Sequence, residues 1–178
     1  MSAPPQFARP YLPPSDHLAA IGAVAVLWTA IEASMQTIIL GLYEIDLNRG
    51  LVLTNNLSFH ARLSLLRILA GEGAIEDAAL AEQMKSILTR IDTAFGIRNA
   101  VIHGLWGMSE KPGIARRASI RARGKKLQTL MDDYSAADLW KIADDLAALV
   151  REFAALERRF EADRASTKGL PNTDSMSK

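Results

Sequence analysis

The chain has 178 residues, 49% hydrophobic and 23% charged, with a formal net charge of +1. That length allows one domain with a sizeable core, the composition is ordinary for a soluble globular protein, and the overall charge points to no class of partner. With no cysteine, disulfides, thiolate catalysis and thiolate metal sites are excluded, and the chain suits a reducing cytoplasm.

Residues 1–14 contain Pro4, Pro5, Pro10, Pro13 and Pro14 and read as an extended arm. They lack the basic start, apolar core and cleavage site of a secretory signal. Ser15-Asp16 then opens a long helix running to about Glu44. Leu18, Ile21, Ala25, Trp28, Glu32, Met35, Ile39 and Leu42 recur three and four apart as one seam. Val24, Leu27, Ile31 and Ile38 form a second apolar stripe. A helix apolar on more than one side is buried centrally, lies in a subunit interface or crosses a membrane. The run from Leu18 to Ile31 is shorter than the ~20 residues a span needs, so no membrane is expected as a partner.

Asp46-Leu47-Asn48-Arg49-Gly50 is a turn or short helical start, and Leu51 to Asn56 adds a helical turn or two. A second main helix covers Ser58 to Ala70, with Phe59, Leu63, Leu66 and Ala70 on one face, and ends at Gly71-Glu72-Gly73. A third begins near Ile75 and aligns Leu80, Met84, Ile87, Ile91 and Ala94; the next position on that stripe is Arg98. Glu32 and Arg98 thus each place a charge in an apolar seam. A lone buried charge is costly, so the two are expected to meet.

After Trp106 the pattern changes. Lys111-Pro112-Gly113 fits a type II turn, and Ile114 to Arg123 alternate, so a β-hairpin is expected over about 105–110 and 114–122. Residues 111–126 hold Lys111, Arg116, Arg117, Arg121, Arg123, Lys125 and Lys126 and no acid. Such a hairpin is either a solvated, charged edge or a basic flap for a polyanion. Ser135 with Asp138 starts the fourth long helix, whose seam is Leu139, Ile142, Leu146, Leu149, Phe153, Leu156 and Phe160. The expected fold is all-α. It is an up-and-down bundle of four main helices with short helical turns, over residues 15–165, with a small β-hairpin inserted before the last helix. Residues 166–178 read as a disordered tail.

The chemistry gathers at Phe95 to Trp106, where Arg98, Asn99 and His103 lie within six positions and Gly104 is placed to cap the helix in the left-handed conformation. Neutral His can take a proton from a ribose 2′-hydroxyl, and imidazolium can return one to a leaving oxygen. A guanidinium binds phosphate through two hydrogen bonds and stabilises charge on its oxygens. Asn can orient the imidazole or bind a phosphate oxygen. One His cannot readily serve as both acid and base across one bond, and a twofold partner would supply the second. The competing readings are structural: His103 as a helix cap, Asn99 as a loop ligand, Trp106 as packing, Glu32 as an ion-pair partner. His17 and His60 read as surface or helix-end residues. No histidine spacing suggests a metal, and no cofactor is expected.

Arg98-Asn99-Ala100-Val101-Ile102-His103-Gly104 resembles the signature of HEPN domains: Arg, a polar residue, three variable residues, His. The helical layout over residues 15–165 is similar too. The resemblance implies a metal-independent endoribonuclease of toxin–antitoxin, antiphage or RNA-processing type. It would be a homodimer with two copies of the motif facing one cleft. It matches Arg98 and His103 to the catalytic pair and Asn99 to the polar residue beside the Arg. Glu32 has no counterpart in the motif and stands as a supporting residue. The expected activity is cleavage of RNA by 2′-hydroxyl attack, leaving a 2′,3′-cyclic phosphate, with Arg117, Arg121 and Arg123 contacting the RNA backbone. An antitoxin protein is a further partner the resemblance implies. The rival expectation, from members that do not cleave, is a non-catalytic HEPN-like binding or scaffold protein.

Overall fold

The structure, a computed structural model, describes residues 12–123 and 126–168. Most of the proline-rich arm and the end of the tail lie outside the described residues. The element order is α1 (Ser15–Leu42), α2 (Leu47–Thr54), α3 (Phe59–Gly71), α4 (Ala78–Ile102), β1 (Leu105–Met108), β2 (Ile114–Arg123), β3 (Lys126–Ser135) and α5 (Ala136–Lys168). The chain is mostly helical, with one antiparallel sheet in the order β1-β2-β3. The sheet extends the expected hairpin by a third strand, β3, which the sequence reading did not assign.

The helix starts follow local chemistry. Asp46 and Ser58 each accept from a backbone N–H three residues on, opening α2 and α3. Asp77 does the same for α4 through Ala79 and Leu80. Ser135 and Asp138 cap α5 reciprocally: the Asp138 amide donates to the Ser135 hydroxyl at 3.2 Å, and the Ser135 amide donates to the Asp138 carboxylate at 2.8 Å. The Ser135 hydroxyl, donating to the same carboxylate at 2.7 Å, and after it the Ser135 amide lower the Asp138 pKa. In the turn before β2, Gly113 has φ +73° and the Ile114 amide donates to Lys111 O at 3.3 Å, the type II geometry expected of Pro112-Gly113.

The chain folds as two compact units. One comprises the chain up to Trp28 together with Ala94–Ala147, and so contains the sheet and the Arg98–His103 segment. Ala20, Val24, Trp28, Val101, Ala115, Leu139, Ala143 and Leu146 are buried in it. The other comprises Thr29–Thr93 and the chain from Ala148, with a core of Ile31, Met35, Leu63, Leu66, Leu80, Met84, Leu88, Ile91, Phe153 and Leu156. Each such side chain removed from water contributes ~1.5–3 kcal/mol before conformational entropy is counted.

On α1 the buried positions are His17, Ala20, Val24, Trp28, Ile31, Met35, Ile38, Ile39 and Leu40. The core face therefore lies between the two stripes, taking Trp28, Met35 and Ile39 from the first and Val24, Ile31 and Ile38 from the second. Leu18 is exposed, while Ile21, Ala25 and Glu32 are only half-buried. α1 also carries an 18-residue window of mean hydropathy 1.7, long and apolar enough to cross a membrane by length and composition, of which 28% is buried. A core helix passes the same test.

β1 pairs with β2 from Leu105↔Ala118 to Met108↔Ala115. β2 pairs with β3 from Ile114↔Ser135 to Arg123↔Lys126. Residues directly opposite share a face. One face therefore carries Trp106, Arg117 and Asp132 across the three strands, with Ala115 and Tyr134 beside them. The other carries Leu105, Ala118 and Met131, with Ile120 next in line.

Candidate functional site

The site begins where α4 ends. The backbone N–H of His103 still donates to Asn99 O at 3.0 Å, but the helix stops at Ile102 and the chain bends through His103-Gly104 into β1. Arg98 continues the stripe of Ile91 and Ala94, as the periodicity implied, and its side chain is half-buried. His103 is exposed beside it.

Arg98 Nη1 donates to Asn99 Oδ1 at 2.9 Å and lies 3.3 Å from His103 Nε2. The second contact is a hydrogen bond when Nε2 carries the lone pair and the ring proton sits on Nδ1. The guanidinium carbon stands 5.8 Å from the centroid of the Trp28 ring, and Trp28 in turn stacks obliquely on Phe95 at 5.7 Å. A cation over a desolvated indole is worth ~2 kcal/mol. Arg98 Nε is buried and has no hydrogen-bond partner among the described residues.

The described interactions of the Arg98 side chain thus all fall within its own unit. Its partners there are an amide oxygen, an imidazole and an indole face. Glu32 lies on the flank of the α1 seam, in the other unit, where a half-buried carboxylate keeps part of its hydration.

Trp106 and Tyr134 of the sheet, with His17 of α1, hold this corner. Trp106 Nε1 donates to Val101 O at 2.7 Å, satisfying a carbonyl that the end of α4 leaves open. Trp106 meets Tyr134 edge-on at 5.5 Å. His17, in the first turn of α1, is 2% exposed and donates from Nε2 to Tyr134 O at 3.1 Å, so it is a buried packing residue rather than a surface one.

Arg117 departs most from the sequence reading. It is 8% exposed, its Nη2 pairs with Asp132, and its guanidinium carbon lies 5.9 Å from the Tyr134 ring. A buried, paired cation is not a surface contact for RNA. The side chains of Arg121 and Arg123 lie outside the described residues; their backbone pairs with Gln128 and Lys126. Arg116 donates to Asp133 at 2.8 and 3.2 Å, and Lys111 pairs with the same carboxylate at 3.2 Å. Hydrogen bonding from Arg116, with Lys111 adding to it, holds the Asp133 carboxyl down at about 2 although desolvation opposes the shift. Three cations of the basic stretch are therefore paired with two acids on β3. The signal that could have revealed this was Asp132-Asp133 inside a second alternating run beyond Gly124.

Gly104 also differs from expectation. Its φ is not in the left-handed region, which among the described glycines holds Gly73 and Gly113. What requires glycine is space: an added Cβ would stand 2.5 Å from Arg117 Cγ, 2.7 Å from Arg117 Cδ and 2.9 Å from Ala100 O.

The structure thus joins Arg98, Asn99 and His103, buries Arg117 away from its expected role as a surface contact, and adds Trp28 as a partner of Arg98. Among the described residues no group of three or more His, Asp or Glu side chains gathers as metal ligands. The arrangement offers a fixed guanidinium, an exposed imidazole within hydrogen-bond reach of it, and an amide that orients the guanidinium. The chain matches no protein-family model, no curated protein and no solved structure.

Proposed function

We propose that this protein is a metal-independent endoribonuclease of HEPN type, acting as a cytoplasmic homodimer on RNA. One observation carries the reading: Arg98 Nη1 stands 3.3 Å from His103 Nε2, in the Arg-Asn-x-x-x-His order that resembles the family signature. The helices would form an up-and-down bundle, and two copies of the site would face each other across the dimer axis. Arg98 binds the non-bridging oxygens of the scissile phosphate. His103 Nε2 takes the proton of the 2′-hydroxyl, and the 2′-oxygen attacks phosphorus. The bond from phosphorus to the 5′-oxygen breaks, the His103 of the second copy protonates that oxygen, and the products are a 2′,3′-cyclic phosphate and a 5′-hydroxyl. In a toxin–antitoxin setting the partner would be an antitoxin protein covering this cleft.

The second reading is a non-catalytic HEPN-like binding or scaffold protein. It is favoured by the sheet face where Leu105, Ile120 and Met131 are each more than 60% exposed, an apolar row suited to a protein partner.

The test is mixed-sequence RNA incubated in EDTA with the wild type, Arg98→Ala and His103→Ala, with light scattering on each. Cleavage by the wild type alone, from a dimer, supports the enzyme. Intact RNA with the wild type, or equal cleavage by all three, leaves the binding reading. A monomeric active enzyme removes the composite site.

A further inference from the structure

We infer that Arg117 is a positioning residue: its buried stem is the surface on which the His103–Gly104 bend rests, and it fixes the distance from His103 to Arg98. The inference rests on the ribonuclease reading for its effect on catalysis, but not for its geometry.

Gly104 comes directly after His103 and packs against Arg117 so closely that any side chain at 104 would overlap Arg117 Cγ and Cδ. Arg117 cannot yield freely. Its Nη2 is paired with Asp132, its guanidinium lies over Tyr134, and it is more than nine-tenths buried. Tyr134 is itself held by the edge of Trp106 and, at its backbone carbonyl, by His17. Trp106 is the residue that binds the end of α4 through Val101 O.

The bend is thus gripped on two sides. Asn99 O holds the backbone N–H of His103 from the helix, and the Arg117 stem backs Gly104 from the sheet. The 3.3 Å separation of Arg98 Nη1 and His103 Nε2 sits at the long end of hydrogen-bond reach. A shift of a few tenths of an ångström in the bend breaks or makes that contact. A long cation is well suited to this task because its methylenes pack while its head is tethered at a distance.

This role is distinct from contacting phosphate, and the two make opposite kinetic predictions. A phosphate-contacting Arg sets affinity and the salt dependence of binding. A positioning Arg sets turnover, because misplacing a reacting group costs rate even when substrate still binds.

The experiment uses the full chain with Arg117→Met, Arg117→Lys and Gly104→Ala. Two readouts are taken: kcat and KM on an RNA substrate across a salt series, and the imidazole ε1 cross-peak of His103 by NMR. The protein has three histidines, so that peak is assigned by its loss in His103→Ala. Arg117→Met and Gly104→Ala should lower kcat roughly tenfold to a hundredfold. KM should stay within about threefold and the salt slope should be unchanged. The His103 peak should move in both, and Arg117→Lys should restore turnover in part.

Arg117→Met with wild-type kcat, raised KM and a flatter salt slope would show a phosphate contact and overturn the proposal. An unmoved His103 peak in folded variants would overturn it as well. If the wild type cleaves nothing, the ribonuclease reading fails and the His103 peak alone decides the positioning claim. If the variants do not fold, the wild type still decides. Cross-relaxation between the Gly104 α-protons and the Arg117 γ- and δ-protons is expected, and its absence refutes the packing.

Discussion

One guanidinium nitrogen joins the two halves of the motif: Arg98 Nη1 donates to Asn99 Oδ1 and reaches His103 Nε2, so Asn99 acts on the guanidinium rather than on the imidazole. This makes Asn99 an orienting residue in the proposed reaction. A hydrogen bond involving a charged group is worth ~1.5–3 kcal/mol, of which half-buried, hydrated surroundings return a part. Asn99→Ala is therefore expected to lower kcat about tenfold, and His103→Ala about 10²- to 10⁴-fold, the range for losing a general acid–base. Asn99→Asp should raise KM, because a carboxylate beside Arg98 competes with phosphate for it. Steady-state kinetics on one RNA substrate compare the three, and an Asn99→Ala enzyme as slow as His103→Ala would assign the amide a direct part in the chemistry.

The second prediction concerns acid. Arg116, hydrogen-bonded to both carboxylate oxygens, holds Asp133 at about 2, against an ordinary value of 3.8, and Lys111 adds to the effect. A carboxyl whose folded-state pKa is depressed stabilises the fold above its unfolded value and loses that contribution as pH falls. The stability due to Asp133 should be complete above about pH 4 and should vanish as pH drops toward 2. Thermal melts of the wild type and Asp133→Asn between pH 1.5 and 5 should differ at the upper end and converge at the lower. A gap independent of pH would mean that the substitution acts through packing instead.

How far the sequence reached depends on the range of the interaction. The helices were legible because their signals are local: a three-and-four apolar spacing, Ser58 and Asp46 at helix starts, the Ser135–Asp138 cap. The rotation of α1 was not. Its two stripes are nearly equal in apolarity, and only tertiary packing sets the core face between them, burying Trp28, Met35 and Ile39 of one and Val24, Ile31 and Ile38 of the other. That choice leaves Glu32 half-buried. β3 was missed because Asp132-Asp133 looks like a polar linker until the register sets it opposite Arg117 and Arg116. The same register turned Arg117 from a surface cation into a buried one. Arg98, Asn99 and His103 could be read together because six positions of one chain segment contain them. Trp28, which lies under Arg98, comes from another helix, and no pattern in the sequence connects the two.

The last prediction tests whether the sheet truly fastens the end of α4. The Trp106 indole N–H donates to Val101 O at 2.7 Å, and Val101 is 1% exposed, so water cannot readily replace the donor. Trp106→Phe keeps an aromatic ring against Tyr134 and deletes the donor, leaving a buried carbonyl unsatisfied. Such a loss costs ~1–3 kcal/mol. The control is Trp140→Phe: Trp140 is 42% exposed, and surface substitutions of this kind fall within about 0.5 kcal/mol of neutral. Urea unfolding should separate the two variants, with Trp106→Phe less stable and its m-value unchanged. Amide exchange should quicken at Ile102 and His103 before it quickens in the middle of α4, because the freed carbonyl belongs to the last turn. Two variants of equal stability would mean that the end of α4 is held by its own backbone and that the indole contributes packing alone.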